Sequence, residues 1–260
     1  MPKFAANLSM LFTEYEFMAR FDAAAKAGFQ GVEYLFPYDF PAADIAAELE
    51  KNNLTQVLFN LPAGDWAAGE RGIACLPERI EEFRSGVDKA IEYAGVLGCK
   101  QVNCLAGIKP EQVTDTDAYQ VLVDNLKFAA EKLAAAGIAL VVEAINTRDI
   151  PGFFVSSTQM VKDLIEDVGS QNLTYQYDIY HMQIMEGDLA ATVKNNLSII
   201  GHVQLADNPG RHEPGTGEIN YSFMFKHLDE VGYDGWIGCE YVPKNGTEAG
   251  LVWLKEYNVI

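Results

Sequence analysis

Residues 140–145, Leu-Val-Val-Glu-Ala-Ile, decide the fold. A run this short and this rich in Val, Leu and Ile reads as a parallel strand buried on both faces. One carboxylate, Glu143, lies inside it. Desolvating an unpaired ion costs on the order of several kcal/mol, so something must meet Glu143. The pattern recurs downstream: residues 175–180 carry Asp178, 202–205 carry Gln204, and 236–242 carry Glu240. These four runs contain no Arg or Lys with which a carboxylate could pair. Four oxygen donors on successive apolar runs, with no Cys among them, suit a hard divalent cation, Mg2+ or Mn2+, better than zinc or copper.

Further out, the chain alternates apolar runs with helical periodicity. Strands are expected at 4–9, 31–36, 56–61, 101–106, 140–145, 175–180, 201–207 and 236–242. A capping box at residues 13–16 (TEYE) opens a first helix whose stripe is Phe17, Met18, Phe21, Ala24 and Ala25, with Gly28 at its end. Further helices are expected at 42–52, 77–98, 118–136, 157–168, 189–197, 221–231 and 247–257. Eight such units argue for an α/β chain closed as a (β/α)8 TIM barrel. With 260 residues and no linker or composition break, residues 1–260 are expected to be one TIM-barrel domain. Each strand also carries an amide or carboxylate: Asn7, Glu33, Asn60, Asn103, Glu143, Asp178, Gln204 and Glu240. At a common height they would line the C-terminal mouth, where barrel active sites lie. For the first four, a bond to a neighbouring backbone group is an equally good reading.

Composition narrows the partners. Lys and Arg number 19 against 37 Asp and Glu, a net charge of −18, which repels phosphate backbones and argues against nucleic acid. Cys75, Cys99, Cys104 and Cys239 lie in or beside apolar segments without paired spacing, as buried free thiols of a reducing compartment would. No apolar run reaches the roughly 18 residues of a membrane span, so a cytoplasmic location without membrane contact is expected. Association into a homo-oligomer is open.

On a chelating substrate, a divalent cation would strengthen a carbon acid next to a carbonyl. Glu143 and Glu240, on the fifth and eighth strands, can face each other across the mouth as base and acid of a 1,2 proton shift. His181, three residues after Asp178, either caps a helix or bonds a substrate oxygen. Arg211 and His212 in the loop NPGRHEPGTGEIN, and Arg71 in the loop PAGDWAAGERGIACL, are cations above the mouth of an acidic chain. Arg71 and Arg211 are candidates to grip a carboxylate bidentately, with ordinary surface arginine as the competing reading.

Several long segments carry a resemblance: FAANLSMLF, NLPAGDWAAGERGIA, YQYDIYHMQ, ADNPGRHEPGTGEINY and GWIGCEY. Over essentially the whole chain they resemble the hydroxypyruvate isomerase family of the xylose-isomerase-like barrels. The resemblance implies a metal held by Glu143, Asp178, Gln204 and Glu240, with Glu143 and Glu240 as the proton donor and acceptor. The related sugar epimerases have His where this chain has Gln204, and positions matching His181 and Arg211 contact substrate oxygens there. The implied reaction interconverts hydroxypyruvate and 2-hydroxy-3-oxopropanoate through an enediolate, with no organic cofactor. A 2-oxo-tetronate isomerase, acting on a substrate one carbon longer, shares several of these segments, although the GDWAAGERGIA loop favours hydroxypyruvate. A related endonuclease would need many His and a basic face, and a non-catalytic sugar-binding barrel would not need two opposed carboxylates.

Overall fold

The computed structural model describes residues 2–257. Its centre is a closed barrel of parallel strands in sequence order: β1 (Lys3–Asn7), β2 (Gly31–Glu33), β3 (Thr55–Asn60), β4 (Gln101–Cys104), β5 (Ala139–Glu143), β6 (Leu173–Asp178), β7 (Ile200–Leu205) and β8 (Trp236–Cys239). β1 pairs with β8 to close it. The register sets some of the polar side chains directly opposite one another, Asn7 with Glu33, Asn60 with Asn103 and Asp178 with Gln204, whereas Glu143 lies opposite Gln176. All of these, with Glu240, are buried. The strands therefore deliver a ring of polar groups to one end of the barrel, as their phase in the sequence requires.

Below that ring the interior is plugged by Ala5, Val57, Leu58 and Val141, against which Trp236 packs. Gly31 makes room for the plug: a Cβ there would lie 2.7 Å from the Trp236 ring. Outside the barrel, a larger apolar layer joins the strands to the helices. These are α1 (Phe17–Lys26), α2 (Ala42–Asn52), α3 (Ile80–Leu97), α4 (Asp115–Ala135), α5 (Thr158–Val168), α6 (Ile179–Met185), α7 (Leu189–Asn196), α8 (Tyr221–Val231) and α9 (Thr247–Gly250). Local chemistry sets several of their ends. Thr114, Ser157 and Asn220 accept from backbone N–H groups at the starts of α4, α5 and α8.

Three local expectations are corrected. The helix expected from the capping box begins at Phe17, with no side-chain cap; Glu14 instead accepts from the N–H and hydroxyl of Thr247, tying the loop after β1 to the start of α9. The sixth strand stops at Asp178 rather than Tyr180, because Asp178 caps α6 and accepts from the N–H groups of Tyr180 and His181. The final helix breaks after Gly250 and continues as 3-10 turns over Val252–Tyr257. The four cysteines are free and buried. Among the described residues, no helix is long and apolar enough to cross a membrane.

Candidate active site

Glu143 ends β5, Asp178 ends β6 and Glu240 directly follows β8, so three carboxylates converge where the strands end. One ligand atom from each of these and from His181 lies within 4.8 Å of every other. Asn103 donates to Glu143 at 3.1 Å, and Asn7 donates to Glu240 at 3.3 Å. Asp178 Oδ1 is occupied by the cap of α6, whereas its Oδ2 is buried without a hydrogen-bond partner. An orphaned carboxylate oxygen facing two further carboxylates is what a divalent cation would satisfy. The donor set fits such an ion.

Burial holds the Glu143 carboxyl well above the ordinary range, and repulsion from Glu240 and Asp178 adds to it. Glu240 is pushed up to about 7, by burial first and then by Asp178 and Glu33, with Arg211 opposing. Burial also raises Asp178, against the pull of Arg211 and of its two backbone donors. His181 is held well below the usual imidazole value by burial and by Arg211. Burial works against the Arg211 charge, but Glu240, Asp178 and Glu143 outweigh it and raise its pKa.

Gln204 is fixed from two sides. Its Nε2 donates to Glu33 Oε1 at 2.7 Å and its Oε1 accepts from Gln176 Nε2 at 2.6 Å. Glu33 itself is fully buried, lies 2.8 Å from His202 Nε2, accepts from Asn7 Nδ2 at 3.0 Å, and occupies space that only a glycine at 238 leaves open. The Gln204 amide nitrogen is thus committed to Glu33, and its oxygen faces the Gln176 side.

Arg211 is presented by the loop after β7. The fully buried Asp207 carboxylate accepts from four backbone N–H groups, those of Asn208, Gly215, Gly217 and Ile219, at 2.8–3.1 Å. At Gly217 a Cβ would lie 2.2 Å from the Asn208 carbonyl, so the wrap needs glycine. The Arg211 carbonyl accepts from Val242 N–H, and its Nη2 donates to Glu240 Oε2. His212 does not enter the site; its ring Nδ1 lies 2.7 Å from the Val242 carbonyl and ties the loop to the segment after β8.

Above the carboxylates lies a cavity of about 60 Å3 lined by both polar and apolar groups. Glu143, His181, Arg211, Glu240 and Gln176 line one part, while Met10, Leu35, Leu105, Ile145, Ile150 and Trp66 build a largely apolar wall. Asp178 and Gln204 are not among its lining residues. Arg71 stands behind the wall: its guanidinium lies 4.2 Å from the centre of the Trp66 ring, and it donates to the carbonyls of Trp66 and Glu70. Trp66, Gln176 and Asn146, the last in contact with His181 Nδ1, escaped the sequence reading. Only Gln176 carried a usable signal, because it sits two residues before Asp178 and so shares its face of β6.

A family model for the xylose isomerase-like TIM barrel matches residues 21–257. The hydroxypyruvate isomerase of Escherichia coli (strain K12) is 54% identical over 257 residues, covering 99% of this chain and 100% of that protein. A 2-oxo-tetronate isomerase of Cupriavidus necator is 50% identical, covering 99% of both. A Brucella melitensis crystal structure described as an AP endonuclease, family 2, superposes with a TM-score of 0.97 at 49% identity, covering 99% of both chains. The resemblance read from the sequence segments is confirmed.

Proposed function

The chain belongs to the xylose isomerase-like TIM-barrel family, and we propose that it is the isomerase that interconverts hydroxypyruvate and 2-hydroxy-3-oxopropanoate. The observation that carries this reading is the pair Glu143 and Glu240, both lining one small cavity that His181 and Arg211 also line. Glu143, Asp178, Gln204 and Glu240 would hold a divalent cation, Mg2+ or Mn2+, which when bound supplies Lewis-acid polarisation of the substrate carbonyl. Of the two glutamates, one removes the proton from the substrate carbon and the other returns a proton to its neighbour, by way of an enediolate. Their protonation is shared through the cluster, so the pair titrates as a unit. Arg211 offers a guanidinium to the substrate carboxylate, and His181 offers a ring nitrogen to a substrate oxygen. The largely apolar wall shields the carbon acid from water. The buried free thiols fit a cytoplasmic enzyme.

A second reading rests on the 50% identity to a 2-oxo-tetronate isomerase, whose name implies a substrate one carbon longer. An endonuclease activity is disfavoured by the net charge of −18 and by only 4 His in the chain. The deciding experiment follows hydroxypyruvate by proton NMR in D2O with the purified protein and Mg2+. The expected result is growth of the 2-hydroxy-3-oxopropanoate signal, carrying solvent deuterium, that stops on chelation. Hydroxypyruvate that persists with metal present would move the longer keto acid to the front.

A further inference from the structure

Asn146 lies three residues beyond Glu143 and is fully buried, yet every polar atom of its amide is engaged. Its Oδ1 accepts from the N–H groups of Arg148 at 3.1 Å and Asp149 at 2.8 Å. Its Nδ2 lies 3.1 Å from Asp149 Oδ2 and 2.6 Å from His181 Nδ1. Turning the amide over would set its NH2 against two backbone N–H groups and its oxygen against a carboxylate. Three of the four neighbours therefore fix the orientation without reference to the histidine. Asp149 is itself held, since Tyr180 donates to the same oxygen at 2.8 Å.

With the amide so fixed, Asn146 is a donor to His181 Nδ1. A ring nitrogen that accepts carries no hydrogen, so the imidazole hydrogen is on Nε2. That nitrogen faces the site, 3.8 Å from Glu143 Oε1 and 3.7 Å from Asp178 Oδ2. Both distances exceed a hydrogen bond, which leaves the N–H without an acceptor among the carboxylates it faces. We infer that Asn146 is a positioning residue that locks His181 in the Nε2–H tautomer, making it a hydrogen-bond donor to a substrate oxygen and not a ligand of the cation. His181 meets the spacing of a fourth ligand, but a nitrogen that bears hydrogen has no lone pair to give. The fourth oxygen then falls to Gln204. The part concerning the substrate rests on the functional reading above; the tautomer does not.

The test is nitrogen-15 NMR of histidine-labelled full-length protein, with Mg2+ and after chelation. The His181 signals are identified by their loss in His181→Gln. The wild-type ring should show an unprotonated Nδ1 and a protonated Nε2. In Asn146→Asp an oxygen remains for the two backbone N–H groups, but an acceptor now faces Nδ1, which should become protonated. Asn146→Ala frees the ring, and kcat/KM for hydroxypyruvate should fall on the order of 10²-fold, mostly in kcat, as when one donor to a developing oxyanion is lost. A wild-type ring carrying hydrogen on Nδ1, or an Asn146→Asp ring identical to wild type, would overturn the inference. A wild-type protein with the expected tautomer that leaves hydroxypyruvate unchanged would sink the functional reading and leave the Asn146 assignment standing.

Discussion

Without its cation, the chain should lose stability as pH rises between about pH 5.5 and 8. Metal-free, Glu143, Asp178 and Glu240 are buried together with Arg211 as the cation paired with the cluster. Their pKa values are raised in the folded chain, so protonation favours folding. That stability is complete below the unfolded value and is lost as pH rises through the folded one. For Glu240 the rise from 4.5 to about 7 is 7 − 4.5, about 2.5 pH units, or about 3 kcal/mol in all. About 2 kcal/mol of this falls between pH 5.5 and 8. For a chain of this size that corresponds to roughly 4–8 °C in Tm. Glu143 and Asp178 act in the same direction, whereas His181, its pKa held down by burial and by Arg211, offsets part of the trend in the lower half of this window. Saturating Mg2+ should cancel the trend, because the ion binds the deprotonated carboxylates more tightly as pH rises. Thermal melting followed by circular dichroism, with chelator and with Mg2+, measures both arms. In Glu240→Gln the metal-free slope should shrink. A metal-free Tm that stays level or climbs with pH would show that burial and mutual repulsion do not disfavour the charged forms of these carboxylates.

Two further outcomes test the chemistry and the loop. Glu143→Gln and Glu240→Gln should each lower kcat by on the order of 10²–10⁴-fold, with the circular dichroism spectrum unchanged because Gln nearly matches Glu in volume; turnover that survives in the double variant would remove the pair from the proton shift. Asp207→Asn replaces one acceptor oxygen, so at least one backbone N–H now served by that carboxylate loses its partner, at about 1–3 kcal/mol per orphaned group. Hydrogen exchange at 208–219 should quicken and KM should rise, and a loop that exchanges as in wild type would show that Asp207 does not hold Arg211 in place.

The features legible in the sequence share one physical basis. A strand in a closed barrel alternates inward and outward, so a carboxylate in a short apolar run such as LVVEAI has a definite phase, and register then sets its height. Glu143, Asp178 and Gln204 accordingly lie on β5, β6 and β7, and Glu240 directly after β8. Phase is no guide where a side chain changes the backbone. At DIYH the apolar alternation continues past Asp178, but the Asp178 carboxylate captures two N–H groups and turns the chain into α6, burying His181. TEYE satisfies the capping pattern through Thr13 and Glu16, yet the helix starts at Phe17 without a side-chain cap, and the intervening Glu14 finds its donors at Thr247, 233 positions away. Such partners are set by the closure of the barrel and leave no local trace. Asp207 and Asn146 are of the same kind, since each acts through backbone groups whose positions only the folded loops define.

The amide at 204 follows from Glu33. Down the barrel axis the interior passes from an apolar plug, through the buried Glu33–His202 contact at 2.8 Å, to the three carboxylates at the mouth. Glu33 already contributes to raising Glu240. A carboxylate at 204 would place a further negative charge at the 2.7 Å distance where Gln204 now donates to Glu33, and a like-charged pair in a buried site drives one member to protonate. A protonated acid is a poor ligand. An amide resolves the conflict, because its nitrogen donates to Glu33 while its oxygen, which accepts from Gln176, keeps a second lone pair for the ion. On the proposed assignment, the neutral fourth ligand and the acid beneath it are one arrangement. Gln204→Glu, although it adds a formally better ligand, should therefore bind Mg2+ no more tightly than wild type by calorimetry.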